Sequence, residues 1–233
     1  MTEPATEGGT DGLVEQEEFS GSAKTGLSLL SVPQSVVKRR LAEAAAPHFG
    51  TEFLTWTTCL WSAMALVLGV FGRHSTAALS LLPALVIVQY VTDLIDGEVG
   101  RITRAGLARW GFFTDHLLDY VFLNCLLIGF FYALGADGIC CQFLLFASSG
   151  LMAISFLDFG ATGDFRTSYF KVGATELRIL LLVGLVAAPV LGRSAVRHCL
   201  PYTASALMLA LVIVGLRVQR RIKGVDQAAA PPG

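Results

Sequence analysis

DLIDGEVGRITRAGLARWGFFTDHLLD, residues 93–119, is the most informative segment of this chain. It carries four aspartates, and a long apolar segment lies on each side of it. Asp93 and Asp96 have i, i+3 spacing and Asp115 and Asp119 have i, i+4 spacing, so each pair shares one face of a helix. Carboxylates at the edge of a bilayer are costly unless they face a polar interior. The pattern therefore predicts two membrane helices whose acidic faces meet.

Two facing pairs of carboxylates indicate a site for divalent cations. Mg²⁺ prefers carboxylate oxygens together with the phosphates of a substrate. Two metal ions about 3.5–4 Å apart are a common device for displacement at phosphorus. The candidate metal ligands are therefore Asp93, Asp96, Asp115 and Asp119.

The glycines and the arginine between the aspartates make the pattern more specific. It runs Asp93-x-x-Asp96-Gly97-x-x-Gly100-Arg101 and, after a spacer, Gly111-x-x-x-Asp115-x-x-x-Asp119. This resembles the signature of the CDP-alcohol phosphatidyltransferase family, in which all four aspartates, both of the other glycines and the arginine have counterparts. Two departures exist: Gly100 stands where the family has alanine, and the spacer here is one residue longer.

The resemblance implies an all-α integral membrane enzyme of phospholipid biosynthesis that depends on Mg²⁺ or Mn²⁺ and forms a homodimer. Such an enzyme transfers a substituted phosphate group from a CDP-linked donor to an alcohol and releases CMP. Asp119 would be a metal ligand or the general base for the acceptor hydroxyl. Glycines let a nucleotide approach the backbone, and an arginine forks onto phosphate oxygens. The implied CDP-binding residues are Asp93, Gly97, Gly100, Arg101 and Gly111.

Two more features resemble the choline- and ethanolamine-phosphotransferase branch of this family. His116 gives the order Asp-His-x-x-Asp found there, and it is either a second candidate base or a polar residue of the first helical turn. Residues 173–176, Gly-Ala-Thr-Glu, resemble a Gly-Pro-Thr-Glu stretch of that branch. Glu176, Arg178 and Lys171 are candidates for binding the acceptor or a lipid phosphate, and their alternative is to face lipid head groups.

Two substrate schemes stay open at this point. Either CDP-diacylglycerol reacts with a small polar alcohol, or a soluble CDP-alcohol such as CDP-choline reacts with diacylglycerol. The Asp-His-x-x-Asp order favours the second scheme, whereas the short chain favours the first. A cation transporter or channel is the alternative function, but it leaves the fixed glycines and arginine unexplained and would place charges nearer the membrane midplane.

Composition places the chain among membrane proteins. Hydrophobic residues make up 54% and charged residues 15%, with a mean hydropathy of +0.62, whereas soluble domains carry about 25% charged residues. The net charge of −1 creates no field that would attract nucleic acid. Six apolar segments approach the roughly 20 residues of a membrane-spanning helix; they are residues 53–71, 76–92, 115–136, 138–157, 175–192 and 200–216.

The order of segments predicts the organisation of the chain. We expect a disordered acidic tail at 1–31, an amphipathic juxtamembrane helix at 32–47, a six-helix domain at 48–223 and a disordered tail at 224–233. Small residues at 129–135 and 148–150 predict close helix contacts. Asp158 and Asp164 are expected to be solvated loop acids.

The basic residues predict the topology. With the N-terminus inside the cell, twelve of the Lys and Arg residues that flank the apolar segments lie on the cytoplasmic side and three lie outside, as the positive-inside rule requires. Both termini and the four aspartates are then cytoplasmic. A composition with many Arg and Ala and few Lys favours a bacterial inner membrane.

Overall fold

The computed structural model describes residues 31–163, 168–169 and 172–229, and the side chains of 38–163 and 178–227 within them. In this part of the chain the strands are one short antiparallel pair, β1 (Ser168–Tyr169) and β2 (Val172–Gly173), with Ser168 opposite Gly173. The helices are α1 (Ser31–Ala45), α2 (Thr51–Gly72), α3 (Thr76–Ile102), α4 (Ala108–Leu134), α5 (Ile139–Thr162), α6 (Ala174–Leu191) and α7 (Arg193–Ala229).

The predicted all-α membrane architecture is confirmed in its coarse form. Five of the helices, α2, α3, α4, α5 and α7, are long and apolar enough to cross a membrane. The α6 helix is also apolar, but its described side chains run only from Arg178 to Leu191, which is shorter than the other five. The sixth span therefore stays a prediction.

The α2 and α4 helices approach each other closely, because both carry glycine at the crossing point. A Cβ atom on Gly69 would collide with the backbone of Gly129, and one on Gly129 would lie 2.5 Å from the carbonyl oxygen of Ala65. The small residue Gly129 therefore permits the backbones of α2 and α4 to come into contact, as predicted. A Cβ atom on Gly150 of α5 would lie 2.9 Å from Leu211 of α7, so the second predicted small-residue contact is also present.

A tight turn connects α3 to α4 and brings their acidic ends together. The turn occupies residues 103–107, and the backbone N–H of Ala105 donates to the carbonyl of Gly100 over 3.0 Å. Gly106 has φ +69°, in the left-handed region where glycine lacks the steric penalty of other residues. The longer spacer is thus absorbed in a compact turn, and all four aspartates lie on regular helix.

The α1 helix packs against the end of α3 that carries the aspartates. Ala42 is buried with Leu54 of α2 and with Ile95 and Val99 of α3. This contact fixes α1 beside the acidic site. Its predicted place on the membrane surface is not tested by these contacts and stays a prediction.

The last helix extends beyond residue 223, where the predicted six-helix domain ends. It continues to Ala229, so residues 224–229 of the predicted disordered tail are helical. No proline interrupts the helix after Pro201, and Ala, Lys and Gln in its last turns are good helix formers. Residues 230–233, and residues 1–30 of the acidic tail predicted at 1–31, lie outside the described residues, whereas Ser31 begins α1.

Candidate functional site

The four predicted aspartates lie together between α3 and α4. The carboxyl groups of Asp93 and Asp115 are within hydrogen-bonding reach of each other, and Asp115 also lies within electrostatic range of Asp96 and Asp119. Asp119 in turn lies within range of Asp93 and Asp96. The helical spacing of each pair, combined with the tight turn, is what makes the two acidic faces meet.

Asp96 is fixed by groups on two sides. Its Oδ2 accepts a hydrogen bond of 3.0 Å from Thr55 Oγ1 of α2, and its Oδ1 accepts from the backbone N–H of Gly97. Thr51 Oγ1 donates to the Asp96 backbone carbonyl over 3.0 Å. These bonds hold a carboxylate that is only 7% exposed.

The contribution of α2 to the site is absent from the sequence predictions. A signal for it exists, because Thr51, Thr55, Thr58 and Ser62 recur at three- and four-residue intervals in an otherwise apolar helix. Such spacing places hydroxyl groups along one face. Three of these residues, Thr55, Thr58 and Ser62, are buried, and Thr51 and Thr55 bond Asp96 of α3.

Asp119 is held by a glutamine from α3. Gln89 Nε2 donates to Asp119 Oδ1 over 2.9 Å, and the glutamine side chain is only 1% exposed. This residue is also absent from the sequence predictions. A glutamine inside a strongly apolar segment, four residues before Asp93, is the signal that would have identified it.

Arg178 of α6 is, among the residues whose side chains are described, the basic one that pairs directly with the cluster. Its Nη2 lies 3.4 Å from Asp93 Oδ2, and its guanidinium lies over the ring of Tyr90, 4.6 Å from the centroid. The structure thus brings the predicted acceptor-site arginine into the acidic site. The side chain of Glu176 and the whole of Lys171 lie outside the described residues.

The charges in the site do not balance within the described residues. Arg178 pairs with Asp93, and Lys38 of α1 lies within electrostatic range of Asp96. Two basic groups therefore lie near four carboxylates, of which Asp96 is buried and the other three are partly exposed. Like charges this close require compensation by protons or by a cation. A hard divalent cation bound through oxygen would supply that compensation. In this respect the donor set fits Mg²⁺ or Mn²⁺.

The side chains as described do not form a closed metal-binding geometry. Among the described residues, no group of three or more His, Cys, Asp or Glu side chains is arranged to hold a metal ion. Thr55, Gln89 and Arg178 each engage an oxygen of one of the aspartates instead. The four carboxylates are neighbours, and the role of metal ligand stays a prediction.

The three glycines predicted to bind CDP differ in their surroundings. A Cβ atom on Gly97 or Gly111 would meet no atom within 4 Å, so there is open space beside both backbones. A Cβ atom on Gly100 would lie 3.2 Å from Thr51 Oγ1. Gly97 and Gly111 therefore leave room for a ligand, whereas Gly100 makes room for α2.

Arg101 points toward Glu98 in the described structure. Its Nη1 lies 2.6 Å from Glu98 Oε2, and Lys38 Nζ lies 3.5 Å from the same oxygen. Arg101 is more than half exposed. Glu98 thus forms ion pairs with two basic side chains at the end of α3, next to the open space beside Gly97.

His116 faces α5 and stays close to the acidic site. Its Nδ1 lies 2.7 Å from the carbonyl oxygen of Phe112 and 3.7 Å from Asp115 Oδ2. Its ring packs on Phe112 and edge-on against Phe156, with centroid distances of 4.3 Å and 5.5 Å. The residue is thus oriented by its neighbours, and its role as a base is not tested by this geometry.

The prediction that Asp158 is a solvated loop acid is wrong. It lies in α5 with 1% of its surface exposed, and Arg221 of α7 donates a hydrogen bond to its carboxylate. The helix continues past the apolar segment, so that Asp158 reaches a basic partner far along the chain. Asp164 lies outside the described residues.

Comparison with known proteins gives no relative on which to base a function. No family model, curated protein or solved structure matched the chain. The function must therefore be argued from the 93–119 pattern and from the geometry around it.

Proposed function

We propose that this protein is a membrane enzyme that transfers a substituted phosphate group from a CDP-linked donor to an alcohol and releases CMP. The observation that carries the proposal is the meeting of four aspartates from α3 and α4 with only two basic groups near them among the described residues. The resemblance of residues 93–119 to the CDP-alcohol phosphatidyltransferase signature supports the same conclusion.

The chemistry requires the site to hold a diphosphate and to stabilise charge on the leaving group. Bound Mg²⁺ or Mn²⁺ would neutralise the diphosphate and the departing CMP. The residues that would hold it are Asp93, Asp96, Asp115 and Asp119. The open space beside Gly97 and Gly111 is where the nucleotide would approach the backbone, with Arg101 at its edge.

The transfer step is a displacement at the phosphorus atom that carries the substituent. The oxygen of the acceptor hydroxyl forms a bond to that phosphorus, while the bond from the phosphorus to the bridging oxygen breaks and CMP departs with the electron pair. The proton of the hydroxyl passes to Asp119 or His116. Glu176, Lys171 and Arg178 are proposed to orient the acceptor or a lipid phosphate at the same end of the bundle.

The proposal includes an arrangement in the membrane. The α6 helix, Ala174–Leu191, would be the sixth span, since 18 residues extend about 27 Å. The α1 helix would lie along the cytoplasmic surface, and both termini and the acidic site would be cytoplasmic. A bacterial inner membrane and a homodimer belong to the same proposal.

Release of CMP by the purified protein tests the function directly. Radiolabelled CDP-diacylglycerol and CDP-choline would each be incubated with candidate acceptors, with Mg²⁺ or Mn²⁺ and with EDTA. We expect CMP release with one donor class, its loss in EDTA and its recovery on adding the metal. Full turnover in EDTA contradicts the metal-dependent mechanism. Cation flux into liposomes without CMP release would instead favour the transporter.

A further inference from the structure

Gln89 is a polar residue in an apolar part of the bundle. It lies on α3 four residues before Asp93, which places it about 6 Å farther into the apolar half of the helix. Its side chain is 1% exposed. Burying a carboxamide is costly unless its donor and acceptor are both satisfied, so its presence requires a reason beyond packing.

The carboxamide makes one strong contact and leaves one group unsatisfied. Its Nε2 donates to Asp119 Oδ1 over 2.9 Å. Its Oε1 is buried and has no hydrogen-bond partner among the described residues. Reversing the amide would place Oε1 against a carboxylate oxygen, two acceptors facing each other. The observed orientation of the amide thus gives Asp119 a hydrogen bond and leaves the glutamine's own oxygen without one.

The backbone behind Gln89 is held by a second chain of hydrogen bonds. Thr92 Oγ1 donates to the Gln89 carbonyl over 2.9 Å, and Trp61 Nε1 of α2 donates to Thr92 Oγ1 over 3.1 Å. This connection ties α2 to the turn of α3 that carries Gln89. A donor that is itself immobilised can fix the carboxylate that it contacts.

We propose that Gln89 is a positioning residue for Asp119. It holds one carboxylate oxygen so that the other is turned toward the acidic site, in the orientation that metal binding and proton transfer require. This inference rests on the proposed function, because it assigns to Asp119 the role given there. Outer groups that orient a metal ligand typically contribute about 10–100-fold to metal affinity or activity.

Gln89→Met tests the proposal, because it keeps the volume and removes the donor. The control is Asn124→Leu, which removes a carboxamide of α4 that bonds Tyr120 and Ser149 instead of an aspartate. Both variants would be checked for a single species by gel filtration in detergent. We expect Gln89→Met to weaken Mn²⁺ binding and to lower kcat by about 10–100-fold with KM unchanged, and Asn124→Leu to change neither by more than about threefold.

A double-mutant cycle shows whether Gln89 acts through Asp119. Mn²⁺ affinity would be measured for Gln89→Met, Asp119→Ala and the double variant. We expect Gln89→Met to have no further effect once Asp119 is alanine. An equal loss in both backgrounds, wild-type affinity in Gln89→Met, or an equal loss in Asn124→Leu overturns the positioning role.

The same measurements separate this inference from the proposed function. Coupling between Gln89 and Asp119 in a protein that never releases CMP would overturn the proposed function alone. CMP release with Mg²⁺ but no coupling would overturn the positioning role alone. A wild-type protein that binds no Mn²⁺ would contradict both.

Discussion

Two acidic sites, the buried Asp158 and the partly buried cluster of four aspartates, both at the ends of apolar helices, differ in their charge balance. Among the described residues, Asp158 of α5 pairs with Arg221 of α7, one charge of each sign. The cluster on α3 and α4 has four carboxylates, with Arg178 paired to one of them and Lys38 within range of another. An ion pair with one charge of each sign needs no added charge, whereas neighbouring carboxylates in excess are compensated by protons or by a bound cation. The balance of charge is therefore what separates a structural contact from a candidate site in this molecule.

The largest loss of activity is expected from a substitution in the cluster of four aspartates. Asp115→Asn removes a charge that faces the other three aspartates, so it should weaken cation binding and the stabilisation of the departing CMP. We expect CMP release to fall about 10³-fold, at the upper end of the range for such electrostatic groups, while the protein stays folded in the membrane. A fall of less than about tenfold would count against the metal-site account.

A smaller effect on activity is expected at the edge of the cluster. His116→Ala removes a ring that packs on Phe112 and Phe156 beside Asp115. If diacylglycerol is the acceptor, a dedicated base matters, and the rate should fall about 10²-fold, the lower end for loss of general-base catalysis. His48→Ala, an exposed histidine after α1, is the control. Near-full activity of His116→Ala with CDP-diacylglycerol and a small alcohol would show that His116 is not the base. It would also contradict the scheme in which diacylglycerol is the acceptor.

The balanced pair should affect stability and leave the chemistry almost unchanged. Asp158→Asn leaves the guanidinium of Arg221 without its charge partner, which costs roughly 3–5 kcal/mol for a fully buried pair. Because Arg221 is partly exposed, we expect a loss near the lower end, seen as a lower thermal midpoint in detergent. Activity per folded protein should change by less than about threefold. A large fall in activity at unchanged stability would contradict this prediction and would indicate that Asp158 takes part in the catalytic site.

The sequence predicts the helices and the acidic cluster because both follow from local spacing. Apolar segments of membrane length identify the spans, and i, i+3 and i, i+4 intervals place each aspartate pair on one face. The cross-helix partners could not be obtained in this way. Arg178 is singled out by the family resemblance and not by local spacing. Thr55 and Gln89 reach the aspartates from another helix or another turn, and such contacts depend on packing.

The wrong prediction for Asp158 has the same cause, because its partner lies far away in the sequence. An acidic residue just after an apolar segment is usual in a loop, and nothing near it in the sequence indicates a partner. Arg221 lies 63 residues later, on the helix that packs against α5. Only the arrangement of α5 against α7 shows that the carboxylate is neutralised inside the protein.

Binding of Mn²⁺ to the purified protein shows whether the four aspartates of α3 and α4 form a divalent-cation site. Electron paramagnetic resonance would measure free Mn²⁺ in titrations of the wild-type protein, Asp115→Asn and Asp158→Asn. We expect saturable binding to the wild type, binding at least about tenfold weaker in Asp115→Asn, and wild-type affinity in Asp158→Asn. Equal binding by all three proteins, or none by the wild type, would contradict the claim that the unbalanced aspartates form a divalent-cation site.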